Sequence, residues 1–194
     1  MVVRKKDLQV DTVFSIEVPE YGYILAQLRD DHCMDVFDNL RRDDSWEDVD
    51  LNTSPVLFTI IVSAHRLLGL FSSEVTNFVK INRRPRKLLS LSLSSEKREV
   101  TGLPGLRLVR HGEVYDPCNT DVLISILEPD VHADILYSYE CLSMIGQPDI
   151  IRERIVNFYK TGVNWDKQKS ILYPELALPP KGYKKINYDC TINK

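Results

Sequence analysis

The sequence has no apolar stretch long enough to cross a membrane. Its longest apolar run, Val56 to Val62 with Thr59 inside it, falls far short of the roughly 20 residues a spanning helix needs, and Pro55 and Ser63 bound it. No secretory leader is expected either. Arg4, Lys5 and Lys6 supply the charge of one, but Asp7, Gln9, Asp11 and Thr12 interrupt the place where an apolar region would follow. Cysteine is sparse: Cys33, Cys118, Cys141 and Cys190 are scattered and form no Cys-x-x-Cys pair. Neither a disulfide framework nor a zinc site is indicated, and a reducing, cytoplasmic setting is expected. There is no Gly-x-Ser-x-Gly elbow, no phosphate loop ending in Gly-Lys-Ser or Gly-Lys-Thr, and no Gly-x-Gly-x-x-Gly turn, so hydrolase, NTPase and dinucleotide readings lose their usual anchors. A net charge of -3 lacks the positive excess with which a general nucleic-acid binder displaces phosphate counterions. Repeats and low-complexity tracts are missing too.

What is present suffices for a core. Hydrophobic residues at 43% and charged residues at 27% match a folded globular chain, and 194 residues fit a single domain spanning 1–194. Its β-rich portion is expected over 1–120, a helical portion over 121–173 and an extended tail over 174–194. Thr12 to Val18 alternates in part, with Val13, Ser15 and Glu17 on one face and Phe14, Ile16 and Val18 on the other. Pro19-Glu20-Tyr21-Gly22 supplies a turn into Tyr23 to Leu28, completing a hairpin. Met34 to Phe37 follows the polar turn Asp30-Asp31-His32 as a third strand, and Pro55 to Val62, rich in β-branched residues, reads as a central one. Between them runs a long polar connection, Asp38 to Ser54.

Further along, Ser72-Ser73-Glu74 predicts a cap for a short helix through Phe78 or Val79. Leu89, Leu91 and Leu93 alternate with Ser90, Ser92 and Ser94 as in a half-buried strand. After Gly102-Leu-Pro-Gly105, Leu106 to Val109 and Val114-Tyr115 predict a hairpin around His111-Gly112. Asp130 is placed as an N-cap for a helix carrying Ile135, Leu136, Tyr139, Leu142 and Met144-Ile145 up to Gly146. Asp149 opens a second, with Ile151, Ile155, Phe158 and Tyr159 on one face and Gly162 as its stop. The short Gly-Gln-Pro link between them predicts an antiparallel helical hairpin. Asp166 to Tyr173 adds a turn or two. Pro174, Pro179 and Pro180 then impose an extended tail carrying Lys181, Lys184, Lys185 and Lys194. Strands first and helices last is the α+β order, an amino-terminal antiparallel sheet or small barrel followed by a helical hairpin.

Candidates for chemistry are few. His132 and Asp134 would aim at one metal ion if they lay on a strand, but their segment reads as helix, where positions two apart diverge. Cys33 and His32, neighbours on a strand, point to opposite faces and make no nucleophile-base pair. Calcium is disfavoured because the Asp-x-Asp-x-Asp-Gly loop is missing. Neither a metal nor an organic cofactor is therefore assigned. The marked anomaly is electrostatic. Asp30, Asp31, Asp35, Asp38, Asp43, Asp44, Glu47, Asp48 and Asp50 face only Arg41 and Arg42 in their stretch of chain. Lys80, Arg83, Arg84, Arg86, Lys87, Lys97 and Arg98 face only Glu96 in theirs. Two accounts stay open. Both stretches are solvated loops that meet across the fold. Alternatively, Asp43, Asp44, Glu47, Asp48 and Asp50, with Trp46 as an aromatic anchor, present a surface to a basic protein.

The strand segments carry a family resemblance as well. Thr12-Val-Phe-Ser-Ile-Glu-Val-Pro19, Gly22-Tyr-Ile-Leu-Ala-Gln-Leu28, Asp35-Val-Phe-Asp38 and Pro55-Val-Leu-Phe-Thr-Ile60 together resemble the amino end of the immunity protein 26 family, and from Arg66 onward the chain departs from that pattern. The resemblance implies a bacterial, non-enzymatic toxin inhibitor, as in contact-dependent growth inhibition, that binds the carboxy-terminal domain of a cognate toxin. Many such toxins are basic nucleases. The phosphotriesterase label attached to that family's naming supplies the alternative, a small metal-dependent hydrolase of phosphoesters. The His-x-His pair and long barrel such an enzyme would need are missing from the sequence.

Overall fold

Extended segments that bury apolar side chains on both faces build the amino-terminal half. The computed structural model describes residues 3–85, 87–112, 120–141 and 143–183. Strands β1 (Val13–Val18), β2 (Gly22–Leu28) and β3 (Cys33–Phe37) follow one another antiparallel. A two-residue β4 (Val49–Asp50) precedes β5 (Val56–Val62), which pairs antiparallel with β3. The turn into β3 places Asp31 and His32 at positive φ, the geometry of the tight hairpin turns that match strand twist.

The segment expected to start a helix at Ser72 is instead β6 (Ser73–Glu74), antiparallel to β1, and a single 3-10 turn over Thr76–Phe78. The reason is tertiary. Ser72 N–H donates to the Ser15 carbonyl and Ser72 Oγ accepts from Glu17 N–H, so the serines serve the edge of β1 rather than a helix start. β7 (Val79–Lys80) then runs parallel to β4.

The next strands are β8 (Leu89–Lys97), β9 (Pro104–His111) and β10 (Thr120–Ile124), an antiparallel sheet ordered β10-β9-β8. The expected Leu/Ser alternation does not hold in β8: Ser90 is buried beside Leu91, and Leu93 is 63% exposed. Val114 and Tyr115 lie outside the described residues. Helix α1 (Pro129–Ser138) starts after Glu128 rather than Asp130, with Pro129 at its first position and no side-chain cap. It stops eight residues before Gly146, because Met144–Ile145 form a strand, β11, parallel to β5. Leu142 lies outside the described residues. Helix α2 (Pro148–Thr161) ends at left-handed Gly162, as expected, and α3 (Lys167–Leu172) is capped by Asp166, whose carboxylate accepts from Gln168 N–H at 2.9 Å.

The chain is thus α+β, and it divides into two compact units: Met1–Arg86 with Leu142–Asn164, and Lys87–Cys141 with Trp165–Lys194. The first centres on a six-stranded sheet ordered β11-β5-β3-β2-β1-β6. One face carries Phe14, Ile16, Ile24, Ala26, Met34, Val36, Phe58 and Ile60, covered by Leu67, Leu70 and Phe71 and by Ile151 and Ile155 of α2. The opposite face packs Val13, Leu25 and Phe37 against Trp46, Leu51 and Val75. The second unit buries Leu91, Leu106, Leu108, Leu127, Ile135, Leu136 and Tyr173. The two helices expected as a hairpin therefore serve different cores, α1 the second and α2 the first. No helix among the described residues is long and apolar enough to cross a membrane.

Candidate functional site

The polar connection between β3 and β5 lies on the second face of the six-stranded sheet, and its own side chains fix it there. Tyr23 and Arg41 exchange backbone hydrogen bonds of 2.7 and 2.9 Å, which adds one bridge beside the start of β2. This close approach requires glycine at position 22. Gly22 has φ +130°, and a Cβ there would sit 2.0 Å from the Arg41 carbonyl oxygen. Asn39 Oδ1 accepts from Leu25 N–H at 3.1 Å, and Arg41 donates to the Ser45 carbonyl while its guanidinium lies 5.5 Å from the Trp46 ring centre.

Trp46 is not the exposed anchor that its polar surroundings in sequence imply. It is 2% exposed and packs with Val13, Leu25, Phe37, Leu51 and Val75. Its indole N–H donates to Asp44 Oδ1 at 2.5 Å, which resolves the one polar atom of a side chain that otherwise gains by burial. Asp44 Oδ2 in turn accepts from Ser15 and Ser73 at 3.0 and 2.6 Å. Asp44 is thus the clasp that ties the loop to β1 and β6: both of its oxygens accept hydrogen bonds, although the residue itself is exposed.

Asp50 is likewise committed. Its Oδ1 accepts from the backbone and side-chain amides of Asn52, both at 2.8 Å, and its Oδ2 pairs with Lys80 at 3.0 Å. The Asn52 side chain first and Lys80 second hold its carboxyl down at about 2. Here the acidic and basic stretches meet, since β4 and β7 carry these two residues in register. Arg83 pairs with Asp11 and its N–H donates to Asn52, while Arg84 donates to the Leu51 and Ser54 carbonyls. Beneath them Asn82 bonds Gln27 and Asp35, and Asp35 also takes Arg29 at 2.7 Å and Thr59 at 2.6 Å. Arg86 lies outside the described residues. Arg98 belongs to the second unit, buried between Glu128 and Glu175 over the Tyr173 ring.

After this pairing the carboxylates of Asp43, Glu47 and Asp48 remain exposed and form no ion pair among the described residues. Beside them, at the tip of the β1–β2 hairpin, opens a groove of about 440 Å³ lined by Glu17, Val18, Glu20, Tyr21, Gly22, Tyr23 and Arg42. The sequence marked this tip only as a turn, Pro19-Glu20-Tyr21-Gly22. Its Glu and Tyr residues were its one legible sign.

Among the described residues the catalytic candidates of the sequence are not brought together. Among the described residues no group of three or more His, Cys, Asp or Glu side chains could hold a metal ion. His132 lies within α1, where its Nδ1 accepts from Glu128 N–H, and His111 is buried against Ser90 Oγ at 2.8 Å. Cys33 and Cys141 are buried, and burial pushes the Cys141 thiol up to about 12. Cys118 and Cys190 lie outside the described residues.

Fold and site together define an α+β chain with an anchored acidic loop on one sheet face. The chain belongs to the family described as "Domain of unknown function (DUF8309)", whose model matches residues 3–178 and so takes in both units. Searches of curated proteins and of solved structures found no match.

Proposed function

We propose that the chain is an immunity protein, acting in the cytoplasm, that neutralises a cognate toxin domain of basic character by stoichiometric binding without catalysis. The observation that supports this is the clasped loop. Burial of Trp46 and the three hydrogen bonds to Asp44 hold Asp43, Glu47 and Asp48 on a fixed backbone, so their charges are presented with little ordering left to lose on association. Unpaired carboxylates on a rigid support attract a positive protein surface at long range and select against acidic ones. The strand pattern shared with the immunity protein 26 family supports the same reading and names the class of partner. In that setting buried Trp46 and the internally bonded carboxylates of Asp44 and Asp50 shape the surface, and Asp43, Glu47 and Asp48 touch the partner.

The test is calorimetric titration of the full chain against the carboxy-terminal domain of the toxin encoded beside it, together with protection of cells producing that domain. The triple variant Asp43→Lys, Glu47→Lys, Asp48→Lys exchanges attraction for repulsion at three exposed pairs. At roughly 0.5–1 kcal/mol for each pair lost and a similar amount for each repulsion gained, affinity falls by about a hundredfold or more. Unchanged binding and protection would remove the loop from the interface.

A further inference from the structure

Resting on the reading that the partner is a basic protein, we infer that Phe78 is the aromatic anchor of its interface and enters an apolar recess of the partner rimmed by basic side chains. Every other aromatic side chain among the described residues is buried or half-buried, and Phe78 alone is exposed, at 57%. Its support is rigid. The 3-10 turn over Thr76–Phe78 is held to β1 by Thr76, whose hydroxyl oxygen accepts from Val13 N–H at 3.0 Å. Phe78 N–H donates to the carbonyl of buried Val75 at 3.0 Å. β6 before the turn pairs with β1, and β7 after it pairs with β4. The ring is therefore displayed by a backbone fixed on both sides, with little left to order on association.

The same pairing brings the ring to the charges of the loop. Val49 and Val79 are register partners in parallel strands, so the residues before them, Asp48 and Phe78, stand at the same end of that ladder. Val49, Val75 and Val79 also share the apolar cluster that seats Trp46. Lys80 and Arg83 are neutralised by Asp50 and Asp11. Among the described residues Asp43, Glu47 and Asp48 then stand without an ion pair against one such cation, Arg42. That balance selects the occupant. A second copy meeting this patch face to face would set carboxylates against carboxylates, and an anionic lipid surface or a nucleic acid would be repelled. A basic protein gains at the rim and buries the ring at the centre. The aromatic anchor expected at Trp46 thus sits on the neighbouring turn.

At 57% exposure about 100 Å² of the side chain stays in water, and burying it corresponds to roughly fiftyfold in affinity. The experiment measures association and dissociation rates of the full chain, F78A and F78W with the carboxy-terminal domain of the toxin encoded beside it. Low and high salt are compared, and urea unfolding of each variant runs alongside. Expected for F78A are an unchanged unfolding midpoint, an unchanged association rate and dissociation about fiftyfold faster at both salts, with most of the loss recovered in F78W. Reversal of Asp43, Glu47 and Asp48 acts in the other way, slowing association most at low salt. Affinity of F78A within about twofold of the parent, or a loss carried by association and erased by salt, would overturn the anchor. So would a parent chain that sediments as a dimer while F78A sediments as a monomer, which gives the ring to a second copy. A parent that fails to bind the toxin domain ends the reading of the partner and the anchor with it. A parent that binds, with F78A indistinguishable from it, ends the anchor alone.

Discussion

Asp44→Ala unclasps the loop, and its cost can be worked from the bonds it removes. The carboxylate accepts from the buried Trp46 indole and from the hydroxyls of Ser15 and Ser73. The hydroxyls keep a partner after the change, because Ser15 Oγ and Ser73 Oγ lie 2.8 Å apart and bond each other. The indole N–H does not, and a buried donor left unpaired costs about 1–3 kcal/mol. Asp44 itself is solvent-exposed, so water replaces part of its charged bonding to the serines, and the net loss for the variant is about 2–3 kcal/mol. Asp44→Asn keeps one acceptor oxygen for the indole and loses about 1 kcal/mol. The assay uses fluorescence during urea unfolding in a Trp165→Phe background, which leaves Trp46 as the sole indole and therefore a reporter of the first unit alone. Asp44→Ala should lower the unfolding midpoint and shift native-state emission of Trp46 to the red as the ring gains water. A midpoint within about 0.5 kcal/mol of the parent with unchanged emission would show that apolar packing alone seats Trp46, and the clasp would be discarded.

Gly22→Ala places a methyl against the Arg41 carbonyl in a left-handed backbone conformation, so loss of about 3 kcal/mol or more is expected in the same assay, with the Tyr23–Arg41 bridge broken. Arg98→Met leaves Glu128 and Glu175 without their cation and removes the guanidinium from the Tyr173 ring. Emission of Trp165 in a Trp46→Phe background should report a second unit weakened by about 3 kcal/mol, partly offset by the apolar replacement. Asp50 is depressed from 3.8 to about 2, so its contribution to stability is full above that upper value and is lost as pH falls through the lower one. Acid titration of Asp50→Asn should lack this portion of the loss between about pH 4 and pH 2, and an identical acid profile would refute the assignment.

The strands β1, β2, β3 and β5 were legible from apolar and β-branched content between turn residues, even though both faces of their sheet are packed. The two-residue strands β4, β6, β7 and β11 were not. Each exists because a neighbour already stands there, and Ser73 pairs with Ser15 only once β1 has an open edge. The same holds for the charges. Acidic and basic stretches could be recognised as complementary, yet only the β4–β7 pairing decides that Asp50 is consumed by Lys80 while Asp43, Glu47 and Asp48 are left over. Trp46 misleads for a related reason. A tryptophan among six acids and arginines looks solvent-facing, but a large ring with one donor needs only an apolar recess and one acceptor, and neither Leu25 nor Asp44 declares that role in sequence. Arg98 was counted with Lys80 and Arg83 from chain proximity, although it works in the other unit.

The interleaving of the two units has a consequence for synthesis. The first sheet is nearly complete by the end of β7, yet α2 supplies Ile151 and Ile155 to its main face, and Arg152 reaches back to the Gly69 carbonyl across 83 residues. A chain growing from the ribosome must therefore emit the whole of β8, β9, β10 and α1 while the face that Leu67, Leu70 and Phe71 cover only in part, Phe58 included, waits for α2. Closing so long a loop carries an entropic cost that grows only with the logarithm of its length, so the order is affordable at equilibrium. During elongation, however, the part of that face left to α2 is apolar surface open to other chains, and it closes only when the second helix arrives.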